Sequence, residues 1–151
     1  MLRLIIKSRT DPTELKPLKS IRARKMVSQK VENQVNTLEK DYFGETLFDQ
    51  RLESLSLDCL IINDLLLETN NTYYQIDSLL ISQNVIHIFE IKNYEGDYLI
   101  DGDRFRTFSG KETKNPLNQL NRCESLFRQM LQQLGFNLTV EGHLVFVNPE
   151  F

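Results

Sequence analysis

The sequence predicts an α/β domain in which a central mixed β-sheet is flanked by helices. Three observations predict it. Apolar residues recur at helical steps over residues 21–58, short apolar segments punctuated by turn residues fill residues 60–108, and a capped helix followed by a strand closes the chain. At 151 residues, 40% hydrophobic and 26% charged, the chain has the length and balance of one soluble globular domain with a real core.

The elements follow in order. Residues 1–7 form a short strand, and Thr10-Asp11-Pro12-Thr13 is a turn or a helix start. Val31, Val35, Leu38, Tyr42, Leu47, Leu52 and Leu55 recur at steps of three to five, the period of a buried helical stripe. A break is expected between residues 40 and 44. A glycine inside a helix costs about 1 kcal/mol against alanine, so Gly44 either caps one helix before a second or allows close backbone approach beside Glu45. Residues 60–65 read as a strand, residues 68–71 as a turn, and residues 73–81 and 85–92 as a β-hairpin. Residues 93–96 turn the chain into two further short strands, 97–100 and 104–108, joined at Asp101-Gly102-Asp103. Asn115 is an N-cap, with Pro116 at the first helical position, for a helix whose stripe is Leu120, Cys123, Phe127, Met130, Leu131 and Leu134; Gly135 ends it. Residues 143–147 make the last strand.

Composition excludes several classes. No apolar run approaches the roughly 20 residues needed to span a membrane, and the opening apolar stretch is too short for a secretory leader. Cys59 and Cys123 lack metal-type spacing and lie in apolar segments, as reduced core cysteines of a cytoplasmic protein do. With only His87 and His143, histidine-based zinc sites and catalytic triads are poorly supported, and His87, on a face with Val85 and Phe89, reads as a packed core histidine. The overall charge of −3 hides an asymmetry. Residues 1–30 hold nine basic side chains (Arg3, Lys7, Arg9, Lys16, Lys19, Arg22, Arg24, Lys25 and Lys30) against Asp11 and Glu14, a net +7 that leaves −10 on the rest. This basic N-terminal segment is a candidate phosphate-backbone contact or a plain solvated face; residues 31–151 form the domain.

The hairpin carries the chemistry. Strand alternation puts Glu90 and Lys92 on one side of the second strand, roughly 7 Å apart. A two-residue turn at Gln83-Asn84 pairs Ser82 with Val85 and, counting back, sets Asp77 opposite Glu90; a three-residue turn would send the two carboxylates to opposite faces. Two-residue loops are the commonest and asparagine tolerates positive φ, which favours the first register. Desolvating such charges without a partner costs several kcal/mol each, and paired carboxylates repel. A divalent cation removes that repulsion, since carboxylate oxygens with a backbone carbonyl and water suit Mg²⁺ or Mn²⁺. Lys92 would then orient a water or stabilise charge on a phosphate. The ordinary alternative is an ion pair of Glu90 and Lys92 on a solvated edge strand, with Asp77 a strand-end acid.

Four stretches, Tyr42-Phe43-Gly44-Glu45, Gln75-Ile76-Asp77, Phe89-Glu90-Ile91-Lys92-Asn93-Tyr94-Glu95-Gly96 and Asn115-Pro116-Leu117-Asn118-Gln119, resemble in order and spacing the nuclease-related domain (NERD) family of the PD-(D/E)-x-K nuclease superfamily. The resemblance implies a restriction-endonuclease-like core and a nuclease acting on DNA with Mg²⁺ or Mn²⁺. It implies Asp77 and Glu90 as metal ligands, Lys92 as the catalytic lysine, Glu45 as an added carboxylate ligand, the Ile91 carbonyl as a further ligand, and Gln119 lining the site. From the residues alone, Glu45 is equally a helix-surface acid and Gln119 a solvated helix residue. Such domains commonly have a second glycine near Asp41, absent here, and often continue beyond the last strand, as a truncated or short member would not. The alternative to an enzyme is a nucleic-acid-binding or regulatory module that keeps the fold and cuts nothing; a third is a platform for protein partners.

Overall fold

The computed structural model describes residues 2–24 and 27–151. Lys25 of the basic segment, and the part of the expected long helix at residues 25–26, lie outside them. Among the described residues, three helices and eight strands follow in the order β1 (Arg3–Lys7), α1 (Leu15–Ala23), α2 (Gln29–Glu53), β2 (Cys59–Thr69), β3 (Thr72–Ser82), β4 (Val85–Lys92), β5 (Tyr98–Asp101), β6 (Arg104–Thr107), β7 (Glu112–Thr113), α3 (Pro116–Gln133) and β8 (Thr139–Phe146). The main sheet runs β1-β2-β3-β4-β8. Its outer pairs, β1 with β2 and β4 with β8, are parallel, and the pairs between are antiparallel. This is a mixed sheet with helices packed on it, an α/β fold consistent with the restriction-endonuclease-like core expected above. Strands β5, β6 and β7 form a separate small sheet.

Alternation along β4 divides the core into two layers. Ile86 and Ile88 pack with Leu79, Ile76 and Val140 against Leu120, Cys123, Phe127 and Leu131 of α3. Ile91, an odd step away, packs with Leu80, Ile61 and Val147 against Phe48 and Leu52 of α2. The helices therefore cover opposite faces. Both cysteines are buried and free.

The hairpin has the two-residue turn. Gln83 and Asn84 hold φ of 50° and 66°, Ser82 pairs with Val85, and the ladder runs to Ser78 with Phe89. The next step in that register is Asp77 with Glu90, one position beyond the last paired residues. The β2–β3 turn is likewise two residues, Asn70 and Asn71, so β2 extends to Thr69. In α3, the Asn115 side chain accepts from the Leu117 N–H at 3.0 Å, and Gly135 takes φ 80° just after the helix.

Two expectations change. The break between residues 40 and 44 is absent, and α2 is continuous through Gly44. A Cβ on Gly44 would lie 2.6 Å from Asn93 Cβ and 3.2 Å from Val147 Cγ2, so this glycine lets the helix lie directly against the end of β4. Asn93, itself buried, donates to the Lys40 carbonyl at 2.9 Å across the same contact. His87 is half-buried, with its side chain 27% exposed, instead of packed in the core, because its face of β4 is only partly covered. The N-terminal segment is built into the body: β1 is an edge strand of the main sheet, and Lys19 and Arg22 of α1 pair with Glu39 of α2 at 3.1 and 3.4 Å.

Candidate metal and phosphodiester site

The site forms where the β3–β4 ladder stops. Past Phe89, β4 pairs only with β8, and the Asp77 carboxylate accepts the Ile91 N–H through Oδ2 at 2.8 Å. Between the pairs Asn63–Ser78 and Leu65–Ile76 lie Asp64 and Asp77, and Asp64 has φ 55°. Tyr74, Ile76 and Leu79 all join the α3-side core, so the two-residue alternation of β3 slips across Asp77 and Ser78. An irregular backbone thus presents the first acid of the hairpin.

One cavity of about 730 Å³ is lined by all six residues expected at the site: Glu45, Asp77, Glu90, Ile91, Lys92 and Gln119. Glu90 is 3% exposed, and Lys92 Nζ lies 2.6 Å from its Oε1. That contact is a close ion pair, and the ammonium is the partner of this carboxylate oxygen. Lys92 also donates to Gln119 Oε1 at 3.4 Å, which ties β4 to the first turn of α3.

Glu45 projects from the middle of α2 and meets Arg9, whose side chain is 3% exposed. The Arg9 guanidinium donates to Glu45 Oε2 at 2.7 Å, to the two Asp49 oxygens at 2.9 and 3.2 Å, and to the Asp77 carbonyl at 3.0 Å. This buried fork joins the N-terminal segment, α2 and β3.

The electrostatics follow from burial. Desolvation first, and then the neighbouring Asp77 charge, push Glu45 and Glu90 each up to about 7. Burial also raises Asp77, against the Ile91 N–H and the Lys92 and Arg9 charges. Burial opposes the charge on Lys92, but Glu90 and Asp77 outweigh it and its pKa is raised, so it is an ammonium at neutral pH. The cavity lining is acidic, with Asp11, Glu14, Asp41 and Asp64 beside the three site carboxyls against Lys7 and Lys92, and Arg9 adds counter-charge at Glu45 and Asp77.

The six residues therefore share a cavity, but Glu45, Asp77 and Glu90 are engaged by Arg9, the Ile91 N–H and Lys92 respectively. Sequence reasoning missed two participants. Asp64 could have been found by the argument used for the hairpin, a charge inside an apolar strand. Arg9 could not, because its partners lie 36 to 68 positions away. Comparison with protein families gives a match to the nuclease-related domain (NERD) over residues 40–147, more than half of the chain and spanning all six residues expected at the site. Comparisons with curated proteins and with solved structures gave no match.

Proposed function

Because the chain belongs to the nuclease-related domain family, within the PD-(D/E)-x-K nuclease superfamily, we propose that it is a divalent-metal-dependent phosphodiester hydrolase acting on DNA. The observation that carries this reading is Glu90, a carboxylate 3% exposed that shares one cavity with the Asp77 carboxyl and has the Lys92 ammonium 2.6 Å from its Oε1. Buried like charges that cost stability and serve no packing purpose mark functional sites.

The donor set fits a hard cation. All candidate ligands are oxygens, and burial, with repulsion from Asp77 at Glu45 and Glu90, raises the pKa of all three carboxyls despite Arg9 and Lys92, a cost that a bound cation would offset. Asp77 and Glu90 would hold Mg²⁺ or Mn²⁺, with Glu45 and the Ile91 carbonyl as further ligands. When bound, the ion supplies a water of lowered pKa and positive charge toward phosphate oxygens. A phosphodiester entering so acidic a cavity otherwise meets repulsion, so binding should require the cation.

The chain's own groups do the rest. Lys92, charged at neutral pH, is positioned between Glu90 and Gln119 to orient the attacking water and to donate to a non-bridging phosphate oxygen. Gln119 acts through Lys92, and Arg9 positions Glu45 and the Asp77 backbone.

The test is nicking of supercoiled plasmid with Mg²⁺ or Mn²⁺ by wild type, Glu90→Ala and Lys92→Ala. Losses on the order of 10²–10³ in rate are expected for Lys92→Ala. Nicking that survives both substitutions rules out this mechanism. A second reading, a nucleic-acid-binding module that cuts nothing, draws on the pairing of Glu45 with Arg9 and of Glu90 with Lys92, which already supplies cations to those acids. DNA binding that persists in chelator and falls steeply with salt, with no cleavage by any divalent ion, favours it.

A further inference from the structure

The chain contains two histidines, 56 positions apart, and the fold brings them together. Parallel pairing of β4 with β8 sets His87 beside Glu141 and Phe89 beside His143. His87 Nδ1 lies 3.0 Å from His143 Nε2 and 3.6 Å from Glu141 Oε2. Among the described residues this is the one group of three or more such ligands whose donor atoms all lie within 4.8 Å of one another. His87 and Glu90 are an odd step apart on β4, so the cluster lies on the face opposite the Glu90 and Lys92 side chains, and the cavity beside it shares no lining residue with the proposed phosphodiester site.

We propose that His87, Glu141 and His143 form a second metal site, for a borderline transition-metal ion of the Zn²⁺ class, clamping the edge strand β8 to β4. Four features support it. A tetrahedral ion with bonds of about 2.0–2.1 Å needs donors roughly 3.3 Å apart; two of the three separations, 3.0 Å (also hydrogen-bond distance between the rings) and 3.6 Å, bracket that spacing, and the third is within 4.8 Å. The two nitrogens and one carboxylate oxygen are the donor set that imidazole-preferring metals select, unlike the all-oxygen set around Asp77. The His143 ring stacks on Phe89 at 5.0 Å, and Phe89 packs on Phe48 of α2 at 4.9 Å, so one ligand is oriented before any ion arrives. Finally, a cavity of about 550 Å³ borders both imidazoles and leaves room for a solvent ligand.

Because β8 has a neighbour on one side only, an ion across this pair strengthens the exposed edge of the sheet. The site is independent of the Asp77 cavity, and the two are separable by experiment. The test uses tag-free full-length protein stripped with chelator and titrated with Zn²⁺, followed by ¹⁵N-correlated spectra of the imidazole rings. With two histidines in the chain, both ring patterns are assignable. At one equivalent, both imidazoles shift in wild type and in Asp77→Asn, and the melting temperature rises. His87→Ala and the surface substitution Glu141→Gln weaken Zn²⁺ binding at least tenfold, while leaving any Mg²⁺ or Mn²⁺ response in place. Imidazole signals that stay fixed through one equivalent overturn the proposal, as does Zn²⁺ binding that disappears in Asp77→Asn and persists in His87→Ala.

Discussion

Replacing Glu90 by glutamine keeps the shape of the side chain and removes its charge, so it isolates what the site costs the fold. Burial, followed by repulsion from Asp77, raises the Glu90 carboxyl from 4.5 to about 7 despite Lys92 at 2.6 Å. At 1.36 kcal/mol per pH unit, that interval is worth about 3 kcal/mol. The folded state holds the proton more tightly than the unfolded chain does. The favourable contribution is therefore complete below about pH 4.5 and is lost as pH rises through about 7. Glutamine resembles the protonated acid at every pH. In chelator, wild type and Glu90→Gln should have similar stability near pH 4.5, and the variant should be the more stable at pH 8 by up to about 3 kcal/mol, less whatever Lys92 loses with its partner. For a chain of this size that is roughly 6–12 °C in melting temperature. Urea or thermal unfolding followed by circular dichroism between pH 4.5 and 8 reads the difference. A stability gap that does not change with pH, or a variant less stable than wild type at pH 8, would refute the reasoning.

Two other substitutions probe the supports of the site. Gly44→Ala gains about 1 kcal/mol of helix propensity but drives a Cβ to 2.6 Å from Asn93 Cβ; overpacking of about 1–3 kcal/mol should win, lowering the urea midpoint, and a raised midpoint would show that the contact relaxes freely. Arg9→Met should cost about 3–5 kcal/mol at pH 8, since Glu45 and Asp49 are left facing a buried apolar chain, and the loss should shrink toward pH 5 as Glu45, held near 7, takes up a proton. A loss that grows on acidification would contradict that assignment.

The parts of this site that are local in sequence were legible. Asparagine tolerates positive φ, so the two-residue turn at Gln83-Asn84 and the register from Ser82–Val85 to Ser78–Phe89 were readable, although the ladder ends one step before Asp77 and Glu90. The Asn115-Pro116 cap likewise fixed the start of α3, and hence where Gln119 meets Lys92. The rest depends on distant contacts. Gly44 reads as a helix breaker until Asn93 and Val147 are seen packed against it, when a cost of about 1 kcal/mol becomes a requirement for close approach. Arg9 and the histidine pair depend on which strands become neighbours. The parallel pairing of β4 with β8 has α3 between them in the chain, and no pattern within either strand announces the partner. The slip in β3 at Asp77 is a further case, since strict alternation would place Ile76 and Leu79 on opposite faces.

The central claim is that Asp77 and Glu90 hold a divalent cation beside Lys92. A calorimetric Mn²⁺ titration of wild type against Asp77→Asn, each with His87→Ala in the background, tests it most directly. A saturable Mn²⁺ site that Asp77→Asn abolishes or weakens at least tenfold is the predicted result; indistinguishable titration curves would contradict it.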